Sequence, residues 1–485
     1  MTEQLANFMR ADSGVSSIFA FLLGAGLCAL TPSGRVAWIV AVLASLIGAI
    51  LMSARAWADL VPGVAGGVEV RAPVDGVSAI AGTTLAWSAA LLALGWGGFV
   101  AMRQQAVLRP FLFALLLVQA GAWLGALRTG NWIEFFIAVQ AAWLSATGIV
   151  ALTGDHERAS LNGAMRIVVT GVFASVILGV GAALVGRVMG SMEIASVLQE
   201  GAPAARSAAL GFGLMILALA LMIGVAPLHA WTGAAYSRGA GAATMALGVV
   251  GAIGGTGAIV RLTQSALESP DLAGAVSMGV ATLGVLSIVL GSLQALGATS
   301  LMRFGAYVVA MQAGCVLLSV GLGSVAGVSA ALVQIVCLCA SSLGFFAAAA
   351  HLETGPGIAR VDGLLRRAPF AAIVLAIALL NVMAAPLTLG FVGRWRLMEA
   401  AIERDAVWAT VAAVFATLAS VFFCGRLIVR MFFWHARETD QHLARASILL
   451  APAMIAACML VMLGVSPDIL VRAAARAALI WGGGS

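Results

Sequence analysis

Residues 221–231 read LMIGVAPLHAW, and residues 382–395 read VMAAPLTLGFVGRW. Each stretch places a proline, Pro227 or Pro386, inside an apolar segment, where it removes a backbone hydrogen bond and frees carbonyl groups. In a membrane, freed carbonyls need a hydrated cavity or a neighbouring helix. We therefore predict two broken transmembrane helices, and their matching places in two halves of the chain favour inverted repeats with an ion path between them. A simple proline kink is the alternative for either segment alone.

The composition of the whole chain indicates a polytopic membrane protein. Of its 485 residues 62% are hydrophobic and 9% charged, the mean hydropathy is +1.07, and apolar runs reach the roughly 20 residues that cross a bilayer. All 26 basic residues are arginines, and the net charge is +6. Because these arginines mostly flank apolar runs, they are interpreted as interface anchors, and no nucleic-acid partner is expected.

The apolar runs predict an all-α fold of about fourteen transmembrane helices, since irregular backbone cannot face lipid and the runs are too long and too uniform for barrel strands. The predicted spans are 15–30, 36–53, 78–101, 109–127, 132–152, 164–186, 207–226, 240–262, 273–297, 303–324, 326–350, 369–391, 406–433 and 447–466.

The sequence shows no pattern for a bound cofactor. There is no P-loop and no glycine-rich dinucleotide fingerprint after a strand. The six cysteines show no CxxC or Cys/His spacing and are interpreted as buried apolar residues. We therefore expect no metal, flavin or nucleotide in this chain, so that any electron transfer takes place in other subunits.

Several segments, in order, resemble one family of membrane proteins. They are residues 227–262 (PLHAWTGAAYSRGAGAATMALGVVGAIGGTGAIVRL), 300–318 (SLMRFGAYVVAMQAGCVLL) and 385–395 (APLTLGFVGRW). These segments are similar to the antiporter-like membrane subunits of respiratory complex I, above all the subunit N (ND2-like) type, a family shared with Mrp-type cation/proton antiporters. The similarity runs from about residue 70 to residue 430.

The resemblance implies an architecture. Helices 1 to 3 would occupy residues 1–105, and two inverted repeats of five helices would occupy 106–265 and 266–435. Helix 14 and a tail would occupy 436–485. Helices 7 and 12 would be broken, each beside a half-channel for protons.

The resemblance also implies a mechanism in which a glutamate and several lysines pass protons, and here the sequence departs from the family. The residues at the family's proton-carrying positions are Gln140 for the glutamate of helix 5, Met222, Ala252 and Arg394 for the lysines of helices 7, 8 and 12, and Gln312 for a histidine of helix 10. Glutamine, methionine and alanine have nothing to titrate, and an arginine stays charged. The family scaffold is kept, as at Trp231, but most titratable groups are lost.

The remaining polar residues have two interpretations each. His229, two residues after Pro227, could carry a proton, because imidazole changes charge near neutral pH; alternatively it bonds to backbone freed by the proline, the interpretation that we favour. Gln140, Gln312 and Gln334 could line a water path or form hydrogen bonds between helices.

Three arginines near the ends of predicted helices are also ambiguous. For Arg166 and Arg261 we expect side chains that reach towards lipid headgroups. The same account is possible for Arg303, but the motif match favours a place next to the central axis.

The sequence thus favours a membrane-arm subunit of a complex I-like, proton-translocating assembly, without catalysis of its own and with a degenerate proton channel. Its expected partners are other membrane subunits and lipids, and its expected location is a bacterial inner membrane. The alternatives are an Mrp-like cation/proton antiporter subunit, or an architectural membrane subunit of a hydrogenase-like or inorganic-carbon uptake complex.

Overall fold

The computed structural model describes residues 13–60, 76–103, 108–153, 157–194, 202–238, 241–352, 361–435 and 450–482. Within these ranges the chain is helical, and its only β-type pairing is an isolated bridge between Asn131 and Glu193. The predicted all-α class is therefore confirmed.

The helices are numbered in chain order. They are α1 Ser13–Leu30, α2 Gly34–Leu60, α3 Gly76–Arg103, α4 Arg109–Arg128, α5 Trp132–Leu152, α6 Glu157–Met189, α7 Ala202–Ile223, α8 Thr232–Arg238, α9 Gly241–Met245, α10 Ala252–Leu267, α11 Pro270–Gly297, α12 Leu301–Val320, α13 Val325–His351, α14 Leu364–Arg367, α15 Pro369–Val382, α16 Leu389–Glu403, α17 Val407–Phe433, α18 Leu450–Val465 and α19 Asp468–Gly482. A π-helix, Ala246–Gly251, joins α9 to α10.

Many of these helices are suited to a bilayer. In the described ranges eleven are long and apolar enough to cross a membrane, or twelve if α18 and α19, bent by 82°, form one span. A helix is present at each of the fourteen predicted segments, but α1 and α15 have apolar segments of only 10–17 residues. The chain is thus a polytopic membrane protein, while the count of fourteen spans stays a prediction. The helix α19 was not predicted, since residues after 466 were expected to form only a tail.

The core of the bundle lies around α13. The apolar window of α13 is 100% buried inside the protein, compared with 28% for α6. It contacts α3 from the first part of the chain and α12, α15, α16, α18 and α19 from the later part. Helices such as α6 and α2 instead present apolar side chains outwards, as expected for surfaces that meet lipid.

Helices α11 and α12 approach each other closely along a line of glycines. A Cβ atom added to Gly284 would lie 2.8 Å from the Gly314 carbonyl oxygen, and one added to Gly291 would lie 2.9 Å from the Met311 nitrogen. Small residues permit such backbone contact between membrane helices. The first break contacts this closely packed α11–α12 pair through Ser287.

Both predicted breaks are present. The helix α7 ends at Ile223, and α8 begins only at Thr232; α15 ends at Val382, and α16 begins at Leu389. Gly224 ends α7 with a φ of +76°, and a Cβ atom there would lie 2.1 Å from Thr232 Cγ2. Glycine is therefore required at this turn, both for its backbone conformation and for its small size.

Candidate functional site

His229 lies in the first break and contacts two other helices. It is 5% exposed; its Nε2–H donates to Oε1 of Gln294 on α11, and its ring meets the edge of Tyr307 on α12 at 6.0 Å between centroids. Its Nδ1 has no hydrogen-bond partner among the described residues. We expected His229 to bond to backbone freed by Pro227. That prediction is wrong, because the imidazole bonds to the Gln294 side chain on the neighbouring helix α11.

The freed backbone of the first break is satisfied by other residues. The Trp231 indole Nε1 donates to the Leu221 carbonyl in the last turn of α7 at 2.8 Å. The Ala226 N–H donates to Ser287 Oγ on α11 at 3.1 Å, and that hydroxyl donates to the Ala310 carbonyl on α12 at 2.7 Å. Because buried backbone groups in a membrane need partners, these two side chains stabilise the break.

Met222, at the position of a family lysine, lines a small cavity between α4, α5, α7 and the π-helix. The cavity has a volume of about 10 Å³, and Gln119, Trp143, Trp231 and Tyr236 also line it. This volume is enough for about one water molecule. None of the described side chains around it is a carboxylate, a histidine, a lysine or an arginine.

The π-helix borders this cavity and accepts a hydrogen bond from a side chain that lines it. The Gln119 Nε2 donates to the carbonyl of Ala246, the first residue of the π-helix, at 3.1 Å. Ala252 follows the π-helix and is buried, and its methyl group offers no proton. Gln119 was not predicted as a site residue, since only its position in the folded chain reveals its partner.

Gln140, at the position of the family glutamate, does not line the cavity with Met222. It is half-buried on α5, and its Oε1 accepts a hydrogen bond from Ser175 Oγ on α6 at 2.6 Å. Gln312 likewise accepts from Ser341 Oγ on α13 at 3.0 Å. Of the two interpretations of these glutamines, the contacts fit hydrogen bonding between helices.

The second break is closed by Asn381 at the end of α15. Its Oδ1 accepts a hydrogen bond from the Gly390 N–H at 2.6 Å, and Cys337 Sγ on α13 donates to the Leu389 carbonyl at 3.3 Å. A Cβ atom at Gly390 would lie 1.9 Å from the Asn381 carbonyl oxygen. Asn381 was not predicted, although a lone amide ending an apolar run could have marked it.

Arg394 lies in the second turn of α16 and points into the protein core. It is 4% exposed, and its Nη2 donates to the Met311 sulfur on α12 at 3.4 Å. The next helix, α13, places Gln334 against Gly393, the residue before Arg394. The structure thus places Arg394 and Gln334, two residues of the predicted set, on the packed helices α16 and α13 at the second break.

The other arginines differ from one another. Arg261 is buried, and its guanidinium donates to the Ala126 carbonyl at 2.9 Å and the Thr129 carbonyl at 2.5 Å. The expected reach of Arg261 to headgroups is therefore wrong, because the charge instead satisfies carbonyls at the end of α4, where the helix dipole favours a cation. Arg166 is exposed on α6, and Arg303 is half-buried at the start of α12.

No group of three or more His, Cys, Asp and Glu side chains that could hold a metal ion is found in the described part of the chain. The expectation that this chain holds no cofactor stays a prediction.

The fold and the two breaks define a class: polytopic membrane proteins with two broken helices, which here both contact α12. The family model for the transmembrane part of NADH:quinone oxidoreductase and Mrp antiporter subunits matches residues 129–420. The chain belongs to this family, which confirms the resemblance read from the sequence.

Relatives and solved structures agree with this membership. NADH-quinone oxidoreductase subunit N of Geobacter metallireducens is 30% identical over 350 residues, 71% of this chain and 73% of the relative. Subunit N of Thiobacillus denitrificans is 28% identical over 70% of this chain and 71% of the relative. The Mrp complex from Dietzia sp. DQ12-45-1b contains a chain with a TM-score of 0.82 and 21% identity, with coverage of 96% and 97%. Respiratory complex I from Thermus thermophilus with bound aureothin contains a chain with a TM-score of 0.77 and 20% identity. The similarity covers 94% of this chain and 98% of that chain.

Proposed function

We propose that this chain is a membrane-arm subunit of a complex I-like, NADH:quinone oxidoreductase type assembly in a bacterial inner membrane, and that its own proton channel is degenerate. The observation that carries the proposal is a family fold whose proton-carrying positions hold Gln140, Met222, Ala252 and Arg394. In this proposal residues 106–265 and 266–435 are the two inverted repeats. The subunit acts as a structural or coupling element beside subunits that move protons.

The surroundings of Met222 support an interrupted path. A proton relay needs titratable groups or connected waters, and the cavity of about 10 Å³ beside Met222 has room for about one water. The side chains that border it include no carboxylate, histidine, lysine or arginine among the described residues, and Tyr236 is the one titratable side chain there. His229 is bonded to Gln294 on α11 and does not line this cavity.

The relatives named above favour the complex I type of assembly, since both are called NADH-quinone oxidoreductase subunit N. The Mrp-like alternative shares the fold, but cation exchange needs an ionisable ligand near the midplane. The two breaks offer His229 and Arg394 and no carboxylate among their described residues. An architectural subunit of another redox complex is the third candidate.

Isolation of the native complex tests the type of assembly. A tag on this chain should capture the hydrophilic and membrane subunits of a quinone reductase. Capture of Mrp subunits alone, or of a soluble enzyme unrelated to quinone reduction, would contradict the proposal and identify the alternative.

A substitution tests the degenerate channel. The variant His229→Gln keeps an amide that can donate to Gln294 but cannot titrate, so we expect an unchanged ratio of protons moved to electrons transferred in inverted membrane vesicles. The matched variant Gln294→Leu removes the same hydrogen bond and leaves the imidazole. A ratio that falls for His229→Gln and not for Gln294→Leu, with both complexes assembled, would show that His229 carries protons.

A further inference from the structure

Arg394 is a buried charge that cannot be removed by deprotonation. It is 4% exposed and lies between α12 and α13. A lysine at this position could lose its proton and become neutral when buried. An arginine guanidinium remains charged in proteins, and a buried charge without a partner is strongly unfavourable. The replacement of lysine by arginine therefore creates a need for a counter-charge.

The described residues around Arg394 do not supply that counter-charge. Its Nη2 donates to the Met311 thioether, a weak acceptor, and its Nη1 has no hydrogen-bond partner among the described residues. The nearest arginine on the same helix, Arg396, is different, because it is partly exposed and forms an ion pair with Glu399 at 2.9 Å. Within the described ranges, the Met311 sulfur is the hydrogen-bond acceptor found for the Arg394 guanidinium.

A second unpartnered donor lies beside it. Gln334 on α13 is 5% exposed, and its Nε2 has no hydrogen-bond partner among the described residues. Its side chain packs directly against Gly393: a Cβ atom there would lie 3.1 Å from Gln334 Cδ and 3.2 Å from Gln334 Oε1. The absence of a side chain at Gly393 therefore brings the amide up to α16 next to Arg394.

We propose that Arg394 and Gln334 bind a small monovalent anion of the chloride type in the core at the second break. Both residues carry buried N–H groups that need an acceptor, and the guanidinium also needs negative charge. Arg394 lies in the second turn of α16, whose N-terminal end adds positive potential. A single chloride ion supplies both the acceptor and the negative charge. The proposal holds whichever assembly contains the chain.

Thermal unfolding of the full-length chain, purified in a mild detergent, tests the site. Chloride is titrated against gluconate, a bulky anion, at constant ionic strength. A bound anion raises the apparent Tm in a saturable manner, so we expect this rise in the wild-type chain and its loss in Arg394→Met. The matched control Arg396→Gln lies on the same helix, and it should keep the full rise. Gln334→Met should shift the midpoint to higher chloride.

A second measurement compares the Tm of Arg394→Met with that of the wild type, and the sign of the difference identifies an unpaired charge. In gluconate without chloride, Arg394→Met should unfold at a higher temperature than the wild type, because it removes a buried charge that has no partner. Saturating chloride should narrow or reverse this difference. A guanidinium with a purely structural role predicts a less stable Arg394→Met chain in both salts.

Three results would overturn the proposal: a wild-type Tm that does not depend on chloride, a rise that persists in Arg394→Met, or a rise that is absent from the assembled complex. The last result would assign the counter-charge to a carboxylate of a partner subunit. Anomalous scattering from bromide in place of chloride gives an independent measurement, with a peak expected beside Arg394. If Arg394→Met does not accumulate, Gln334→Met and bromide still decide between the outcomes.

Discussion

Replacement of Ser287 with alanine tests whether the first break is held by the α11–α12 pair. The Ser287 hydroxyl is fully buried, accepts from the Ala226 N–H at 3.1 Å and donates to the Ala310 carbonyl at 2.7 Å. The substitution removes both hydrogen bonds and leaves the buried Ala226 N–H without its acceptor. The change in volume is only one oxygen atom, so packing is nearly unchanged.

The size of the effect follows from these two bonds. A side-chain hydrogen bond between membrane helices contributes on average about 0.6 kcal/mol, and a buried N–H left without a partner costs about 1–3 kcal/mol. We therefore expect Ser287→Ala to lower the free energy of unfolding by about 2 kcal/mol.

The chain contains a matched control on the same helix. Ser292 is also fully buried, but its Oγ has no hydrogen-bond partner among the described residues. Ser292→Ala should be neutral or slightly stabilising, because it removes an unpaired polar group. Denaturant titration of the purified chain in mixed micelles measures both variants. Equal stabilities for Ser287→Ala and Ser292→Ala would refute the role of Ser287.

Two further predictions concern the ends of broken helices. Trp231→Phe removes the cap on the last turn of α7 and should destabilise the chain by about 1 kcal/mol, whereas Trp395→Phe, at a ring 57% exposed, should have little effect in the same unfolding assay. Gly390→Ala should prevent accumulation of the folded chain in membranes, because its Cβ would lie 1.9 Å from the Asn381 carbonyl oxygen. Gly425→Ala, where a Cβ atom meets nothing within 4 Å, should accumulate normally, and a deficit in both glycine variants would contradict the steric argument.

The breaks could be predicted from the sequence because their cause is local. Pro227 and Pro386 remove backbone hydrogen bonds wherever the chain goes, and the helices end within a few residues of each proline. The helix positions were also predictable, since a long apolar run in lipid satisfies its backbone hydrogen bonds by forming a helix. The number of spans could not be predicted in the same way, because α15 has only 14 residues and the apolar run is divided by a break.

The partners of the polar residues could not be predicted, because they lie far away in sequence. The guanidinium of Arg261 meets carbonyls more than 130 residues before it in the chain, and Gln294 meets His229 across 65 residues. Because Arg261 lies near the end of a predicted helix, we expected its side chain to reach a lipid headgroup. In the folded chain it instead contacts carbonyls at the end of α4. In the same way, Gln140 could be aligned with a family glutamate, although only the folded chain shows that it faces Ser175.

The enclosure of α13 has a consequence for biosynthesis. This helix emerges from the ribosome before α18 and α19, the two helices that later cover part of its surface. During that interval acyl chains must occupy the uncovered face, and they must leave again when the later helices arrive. A chain interrupted before residue 450 would keep its most central helix against lipid, and we expect such a product to be degraded rather than inserted into a complex.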